Sequence, residues 1–234
     1  RDDPILEYSN TNAYYNLQLI AQWRAKEFIK IDGKHSEIDI PVIDWEEFKD
    51  LQRSYFKASV LDLEVPTDHM IFGALYKIAG KKNIKYIISG NNIVTEWLLP
   101  KTWNYAKFDL VNLKNIHKKF GKVELKNLPS LGVWEFAYYQ LFKKIEGVPI
   151  LDYMNYNKAE CKDIIIKELD WIDYGGKHYE SIFTRFYQGY ILPQKFGIDK
   201  RKAHLSNLIL SKQLTKAEAL EELKNPPMPV DLER

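Results

Sequence analysis

The densest set of reactive side chains in the sequence is Gly175-Gly176-Lys177-His178-Tyr179-Glu180-Ser181. Two successive glycines let neighbouring backbone N–H groups turn toward an anion, and Lys177 adds a point charge suited to phosphate. His178 adds a group that titrates near neutral pH. The spacing GxxxxGK[ST] of a Walker A loop is missing, and spacing alone equally allows a surface turn. Ser89-Gly90-Asn91-Asn92 follows the apolar run Tyr86-Ile87-Ile88. In open α/β sheets ligands bind beyond the carboxyl ends of strands, where Gly90 exposes backbone and the two Asn side chains donate and accept. A plain turn and helix cap is the bland alternative.

Two basic runs stand apart from these, Asp199-Lys200-Arg201-Lys202-Ala203-His204 and Lys114 to Lys126. Charge runs are usually solvated faces. Arg201 is the best bidentate phosphate ligand among them. Pro66-Thr67-Asp68-His69 puts a carboxylate and an imidazole at a helix start, where capping is the simpler role. Cys161, the single cysteine, excludes an internal disulfide framework and a multi-cysteine zinc site within the chain. It lies on an apolar helix beside Glu160 and Asp163, which reads as a buried small hydrophobe with a raised thiol pKa, not an activated nucleophile.

The elements that must position these groups alternate between strand and helix. Ile5 to Tyr8 and Ile38 to Ile43 read as strands, Pro41 arguing for an edge strand or an early position in the second. Tyr86 to Ile88 is the most strand-like run. Helices are expected over Ala13 to Phe28, after the Asp44 cap through Trp45, Phe48 and Leu51, and from a Thr67 cap to Gly80. Further helices are expected over the aromatic stretch Leu131 to Ile145, from an Asn157 cap over Lys158 to Leu169, and from a Thr215–Glu218 capping box to Asn225-Pro226-Pro227. No strand is expected after about residue 105, so the division is 1–105 and 106–234, the helical part packed on the sheet part.

Composition narrows the function classes. The chain has 234 residues, 45% apolar and 28% charged, which excludes disordered, collagenous and low-complexity classes. Lys plus Arg is 34 against 32 acidic residues, a formal charge of +2 that gives no argument for nucleic acid. No run approaches the length of a membrane span, and the start Arg1-Asp2-Asp3-Pro4 is not a signal peptide. A reducing, cytoplasmic setting is expected.

In order along the chain, IDWEEFKDLQ (Ile43 to Gln52), PTDH (Pro66 to His69), YIISGNNIVTEWLLPKTW (Tyr86 to Trp103), WIDYGGKHYES (Trp171 to Ser181) and FTRFYQGYILPQKFGIDKRKAHLSNLI (Phe183 to Ile209) resemble the bacterial N-acetyl sugar amidotransferases. These act in surface-polysaccharide and flagellar sugar pathways and belong to the PP-loop ATP pyrophosphatases. The resemblance covers about residues 40 to 229. It implies an α/β fold with a Rossmann-like parallel sheet of the adenine nucleotide alpha-hydrolase type and a mostly helical C-terminal half. It further implies an ATP- and Mg2+-dependent reaction on a nucleotide-activated N-acetyl sugar, as in lipopolysaccharide O-antigen or flagellar glycan assembly. The acetamido oxygen is adenylated with release of pyrophosphate, and ammonia then displaces AMP to leave an acetamidino group. Adenylation turns a poor leaving group into a good one, with positive groups stabilising the transferring phosphate.

On this reading Ser89, Gly90, Asn91 and Asn92 line the nucleotide or sugar end, with Lys200 as a further cofactor contact. Lys177, His178 and Arg201 carry the catalytic phosphate contacts. Asp68, Glu96, Gly175 and Gly176 are substrate contacts, and no resident metal ligands are assigned. The Ser-Gly-Gly-x-Asp-Ser loop that cradles ATP in the family is missing from the chain, as is the cysteine-rich N-terminal segment of many members. The expectation is a sheet that is N-terminally incomplete, or a chain without ATP chemistry. A separate glutaminase subunit supplying ammonia is the implied partner, with no nucleic acid and no membrane span. Alternatives are a non-catalytic binding or assembly subunit of the same fold, and a tRNA-modifying PP-loop enzyme.

Overall fold

The computed structural model describes residues 43–173 and 181–228, together with the backbone of two short strands, β1 (Lys30–Ile31) and β2 (Lys34–His35), paired antiparallel. The strand Ile5 to Tyr8, the helix Ala13 to Phe28 and most of the strand Ile38 to Ile43 lie outside the described residues. So does most of the heptad carrying Gly175, Gly176, Lys177 and His178. Among the described residues the fold is mostly helical around one small parallel sheet.

Helix α1 (Trp45–Ala58) starts where expected because the Asp44 carboxylate accepts the amides of Glu46 and Glu47. It ends at Ser59, in left-handed conformation. Two acids on its inner face, Glu47 and Asp50, are buried. They are satisfied from the end of the basic run Lys114–Lys126 and the two residues after it, mostly by backbone amides. Asp50 Oδ2 accepts the amides of Lys122 at 2.6 Å and Val123 at 2.9 Å, and lies 3.0 Å from His117 Nε2. Glu47 accepts the amides of Lys126, Asn127 and Leu128. The lysine side chains face outward while the turn folds onto α1.

Helix α2 (Val65–Lys82) starts before Thr67: Pro66 occupies its first turn, where a missing N–H costs nothing. Nor does it stop at Gly80. It runs on to a left-handed Asn83, and Gly80 is a packing residue whose added Cβ would lie 2.4 Å from the Tyr139 ring. After it come β3 (Tyr86–Ser89), α3 (Ile93–Glu96), α4 (Leu110–Phe120) and α5 (Val133–Leu141).

The expectation of no strand beyond residue 105 fails at β4 (Glu146–Pro149), which pairs parallel with β3 in the register Tyr86–Glu146 to Ser89–Pro149. Its sequence, Glu-Gly-Val-Pro, lacks alternation and contains two strand-weakening residues. Only pairing with β3 makes it a strand, so tertiary context overrides local propensity.

Helix α6 (Lys158–Leu169) carries the expected Asn157 cap. A continuous helical run then comprises α7 (Ile182–Phe186), a π-turn at Tyr187–Ile191 and α8 (Leu192–Phe196). Pro193 has no N–H to give to a carbonyl one turn back, and the wider π-turn, with Leu192 N bonded to the Tyr187 carbonyl, absorbs that loss. Helices α9 (Arg201–Leu210) and α10 (Lys216–Glu222) complete the order, α10 with the anticipated Thr215–Glu218 capping box.

Two apolar clusters hold these elements. One joins Leu51 and Tyr55 of α1, Leu113 of α4, and Tyr187, Leu192 and Ile198. The other joins Tyr76 and Ala79 of α2 with Leu131 and Ile145, and Ile87 of β3 packs against it. Phe108 links its aromatic edge, 4.8 Å from Phe72 and 4.7 Å from Phe136 between ring centres. The aromatic helix α5 therefore divides: Phe136 and Tyr139 pack inward, while Trp134 stays 88% exposed.

Candidate functional site

The parallel pair β3–β4 points its carboxyl ends at Ser89-Gly90-Asn91-Asn92 and at the turn after Pro149. Much of the β3 turn's hydrogen bonding is internal. Asn91 N donates to Ser89 Oγ at 3.0 Å. Asn92 Oδ1 accepts from Thr95 N at 2.8 Å and Thr95 Oγ1 at 3.0 Å, so this buried side chain caps α3. The amide of Ile93 donates to Asp152 Oδ1 at 2.7 Å, so a carboxylate from beyond β4 holds the place at the start of α3 that an anionic ligand would take. Gly90 faces open space, with no atom within 4 Å of where a Cβ would be.

Helix α9 lies across α3 and closes this end of the sheet. Asn207, buried, donates from Nδ2 to the carbonyls of Thr95 at 3.1 Å and Leu98 at 3.3 Å, and accepts the Leu98 amide at 2.7 Å. One turn earlier His204 places Nδ1 3.4 Å from the Thr95 carbonyl and Nε2 2.9 Å from Lys158 Nζ. Gln213 fixes the start of α6 from the same side, accepting Lys158 N at 2.9 Å and donating to the Tyr156 carbonyl at 2.8 Å. The Tyr156 phenol is pushed up by burial first, then by the neighbouring Cys161 and Glu96 charges. Glu96, Tyr156 and Cys161 thus gather at this end. Cys161 is partly exposed and not the buried residue its helix implies.

Among the described residues, Asp68 and Lys200 lie away from this group, and Arg201 is committed to a carboxylate of its own. Asp68 lies in a charged knot at the start of α2: Lys107 Nζ is 2.9 Å from Asp68 and 2.7 Å from buried Asp62. Burial raises the Asp68 carboxyl above its ordinary value, against the pull of Lys107. Lys200 also turns this way, 3.5 Å from Glu64 and over the face of the Tyr187 ring. Arg201 gives its fork to Asp199, with Nη2 2.8 Å and Nε 3.1 Å from the two carboxylate oxygens, and donates Nη1 to the Asn225 carbonyl at 3.0 Å. Burial alone would raise Asp199, but the Arg201 hydrogen bonds and charge outweigh it and hold the carboxyl low.

His69 is fully buried. Nδ1 donates to the Lys107 carbonyl at 2.7 Å and Nε2 accepts from Leu131 N at 3.1 Å, a neutral ring joining α2 to two loops. Burial accordingly lowers its pKa. Sequence reasoning missed Asp152, Lys158 and Asn207 altogether, and took His204 only as one member of a basic run. The run Asp199–His204 was the available signal, but neither its charge nor its spacing tells which member faces the strand ends.

A fit to ATP and Mg2+ can be tested on this arrangement. The described residues contain no group of three or more His, Cys, Asp or Glu side chains disposed to hold a metal ion. The Ser89–Asn92 turn also meets Asp152 at its one helix start. At the Ser89–Asn92 turn itself, the Asp152 carboxylate takes the place at the helix start that a phosphate oxygen would need. No helix among the described residues is long and apolar enough to cross a membrane.

Residues 180–234, under half of the chain, match the family described as LPS biosynthesis protein WbpG-like, C-terminal domain. No curated protein and no solved structure matches the chain. The C-terminal stretch that delivers α9 to the sheet is therefore similar to a domain of lipopolysaccharide-biosynthesis proteins.

Proposed function

We propose that the chain serves the assembly of a surface polysaccharide by binding a nucleotide-activated N-acetyl sugar whose acetamido oxygen is exchanged for nitrogen. The observation that carries this reading is the coincidence of two features on one helix. Helix α9 lies within the segment similar to the lipopolysaccharide-biosynthesis domain, and α9 closes the carboxyl end of the only parallel strand pair among the described residues. On this reading β3–β4 is part of a Rossmann-like sheet, and the Ser89–Asn92 turn meets the sugar end of the ligand. Gly90, with open space before it, lets the acetamido group approach backbone. ATP, Mg2+ and a glutaminase partner belong to the proposal through the family resemblance alone, and no step is routed through the β3 turn.

The experiment compares two sugar nucleotides differing only in the acetamido group, with saturation-transfer NMR on the full chain. Transfer to the acetamido methyl, and weaker binding of the sugar bearing hydroxyl there, supports the reading. Equal binding of both, or of neither, refutes it. The non-catalytic binding subunit is the second reading, favoured by the Asp152 carboxylate at the start of α3, where a phosphate would otherwise accept. Pyrophosphate release from ATP by the chain with acceptor sugar and ammonia decides between the two.

A further inference from the structure

Helix α5 carries an apolar side that the two core clusters do not use. Phe136 packs inward against Tyr76 and Phe108, and Tyr139 against Tyr76. Trp134, Tyr138, Leu141 and Phe142 recur at i, i+4, i+7 and i+8, a spacing that sets them on one side of the helix, away from that inward pair. Trp134 is 88%, Leu141 71% and Phe142 76% exposed. The Tyr138 ring stacks on Phe142 with 5.8 Å between ring centres.

Cations gather at the C-terminal end of this stripe. Lys143 and Lys144 follow α5 almost directly. Lys81 stands in the last turn of α2, next to the Gly80 that packs on the Tyr139 ring. Lys85 donates Nζ to the Lys143 carbonyl at 2.8 Å, which ties the ends of the two helices together. The acid on α5, Glu135, lies 4.0 Å from Lys77, and the next carboxylate along the chain, Glu146, is in β4. Among the described residues no carboxylate pairs with Lys81, Lys85, Lys143 or Lys144.

This combination selects among occupants. Protein–protein interfaces take up aromatic side chains but are depleted in lysine. A second copy meeting the same side would set like charges against like. An anionic bilayer surface suits both parts: Trp and Tyr settle at headgroup level, Leu and Phe reach toward the acyl chains, and each nearby lysine adds attraction to the negative headgroups.

We propose that the outer side of α5, with Lys81, Lys85, Lys143 and Lys144, is a docking surface for an anionic lipid bilayer, on which the helix lies without crossing. The lysine end adjoins the amino ends of the strand pair, since Lys85 precedes Tyr86 and Lys144 stands two residues before Glu146. The Ser89–Asn92 turn is at the opposite end of that pair. Docking and sugar binding therefore use separate surfaces, and either can fail alone.

The test floats the full chain with vesicles of phosphatidylcholine alone and of phosphatidylcholine mixed with phosphatidylglycerol. The chain should rise with the mixed vesicles, less so at high salt, and little with the neutral ones. Trp134→Ser should weaken binding to the mixed vesicles about tenfold or more, through loss of buried apolar area. Lys143→Gln together with Lys144→Gln should weaken it by about tenfold as well. Melting temperature should stay close to wild type in both, because these side chains face solvent. Acyl chains carrying bromine should quench part of the tryptophan fluorescence, and Trp134→Phe should lose that part. No binding to the mixed vesicles, equal binding to neutral ones, or binding that neither variant weakens overturns the proposal. So does a dimer in solution that Trp134→Ser dissolves while vesicles are ignored.

Discussion

Arg201 spends its guanidinium on Asp199 and on the carbonyl of Asn225, which ties the start of α9 to the segment after α10. Its type suits phosphate, yet the partly buried ion pair argues for a structural share. Arg201→Ala should therefore cost about 1.5–3 kcal/mol, the range for hydrogen bonds to a charged partner, read as a shifted urea midpoint. A midpoint unchanged from wild type would return Arg201 to a purely ligand-facing role. His69 makes a second prediction. Burial lowers its folded pKa below the unfolded value of about 6.5. Its contribution to stability is then fully present above about pH 6.5 and is lost as pH falls from there through the folded pKa. Urea midpoints should drop between pH 7.5 and 5.5, and His69→Gln should flatten that slope. An equal slope in the variant would place the titration elsewhere. Sequence could supply only residue types here. Reading His69 as a cap missed that Lys107 and Leu131 arrive from distant loops to satisfy both ring nitrogens.

Helices with local signals were legible. The Asp44, Asn157 and Thr215 caps and the stop before Pro226 follow from short-range chemistry, and each helix begins where its cap predicts. Elements made by partners were not legible. β4 exists through β3, the π-turn through Pro193, and the docking of α9 through one buried amide. Asn207→Leu preserves volume but strands the Leu98 amide and removes a donor to Thr95. It should cost about 3 kcal/mol, since each buried group left unpaired costs about 1–3 kcal/mol. Faster hydrogen exchange at Leu98 checks the mechanism, and unchanged exchange would contradict it. The glycines separate by the space before them. A Cβ on Gly73 would lie 2.1 Å from the Pro129 carbonyl oxygen, so Gly73→Ala should destabilise by about 3 kcal/mol or more through overpacking. Gly90 meets nothing within 4 Å, so Gly90→Ala should change stability by less than about 0.5 kcal/mol while weakening sugar-nucleotide binding. Loss of stability without loss of binding would make it a structural turn.

At the scale of the whole molecule, the described residues build helices around one face of a two-stranded parallel sheet. On the other face Tyr86 is 65% and Ile88 72% exposed, whereas parallel sheets are covered on both faces. Of the expected fold, the strand at Tyr86 to Ile88 and the helices flanking it were legible, and the described residues show a mostly helical fold with one small parallel pair. The convergence of residues 89–98, 152–161 and 204–213 at one end of the pair was not, because it depends on how α9 crosses α3. The account makes that end a sugar-nucleotide site, and its most direct measurement is saturation-transfer NMR of a nucleotide-activated N-acetyl sugar on the full chain. It predicts saturation of the acetamido methyl that fades when Gly90 becomes Ala. No transfer to the acetamido methyl, or equal binding of the sugar nucleotide that lacks the acetamido group, would contradict it.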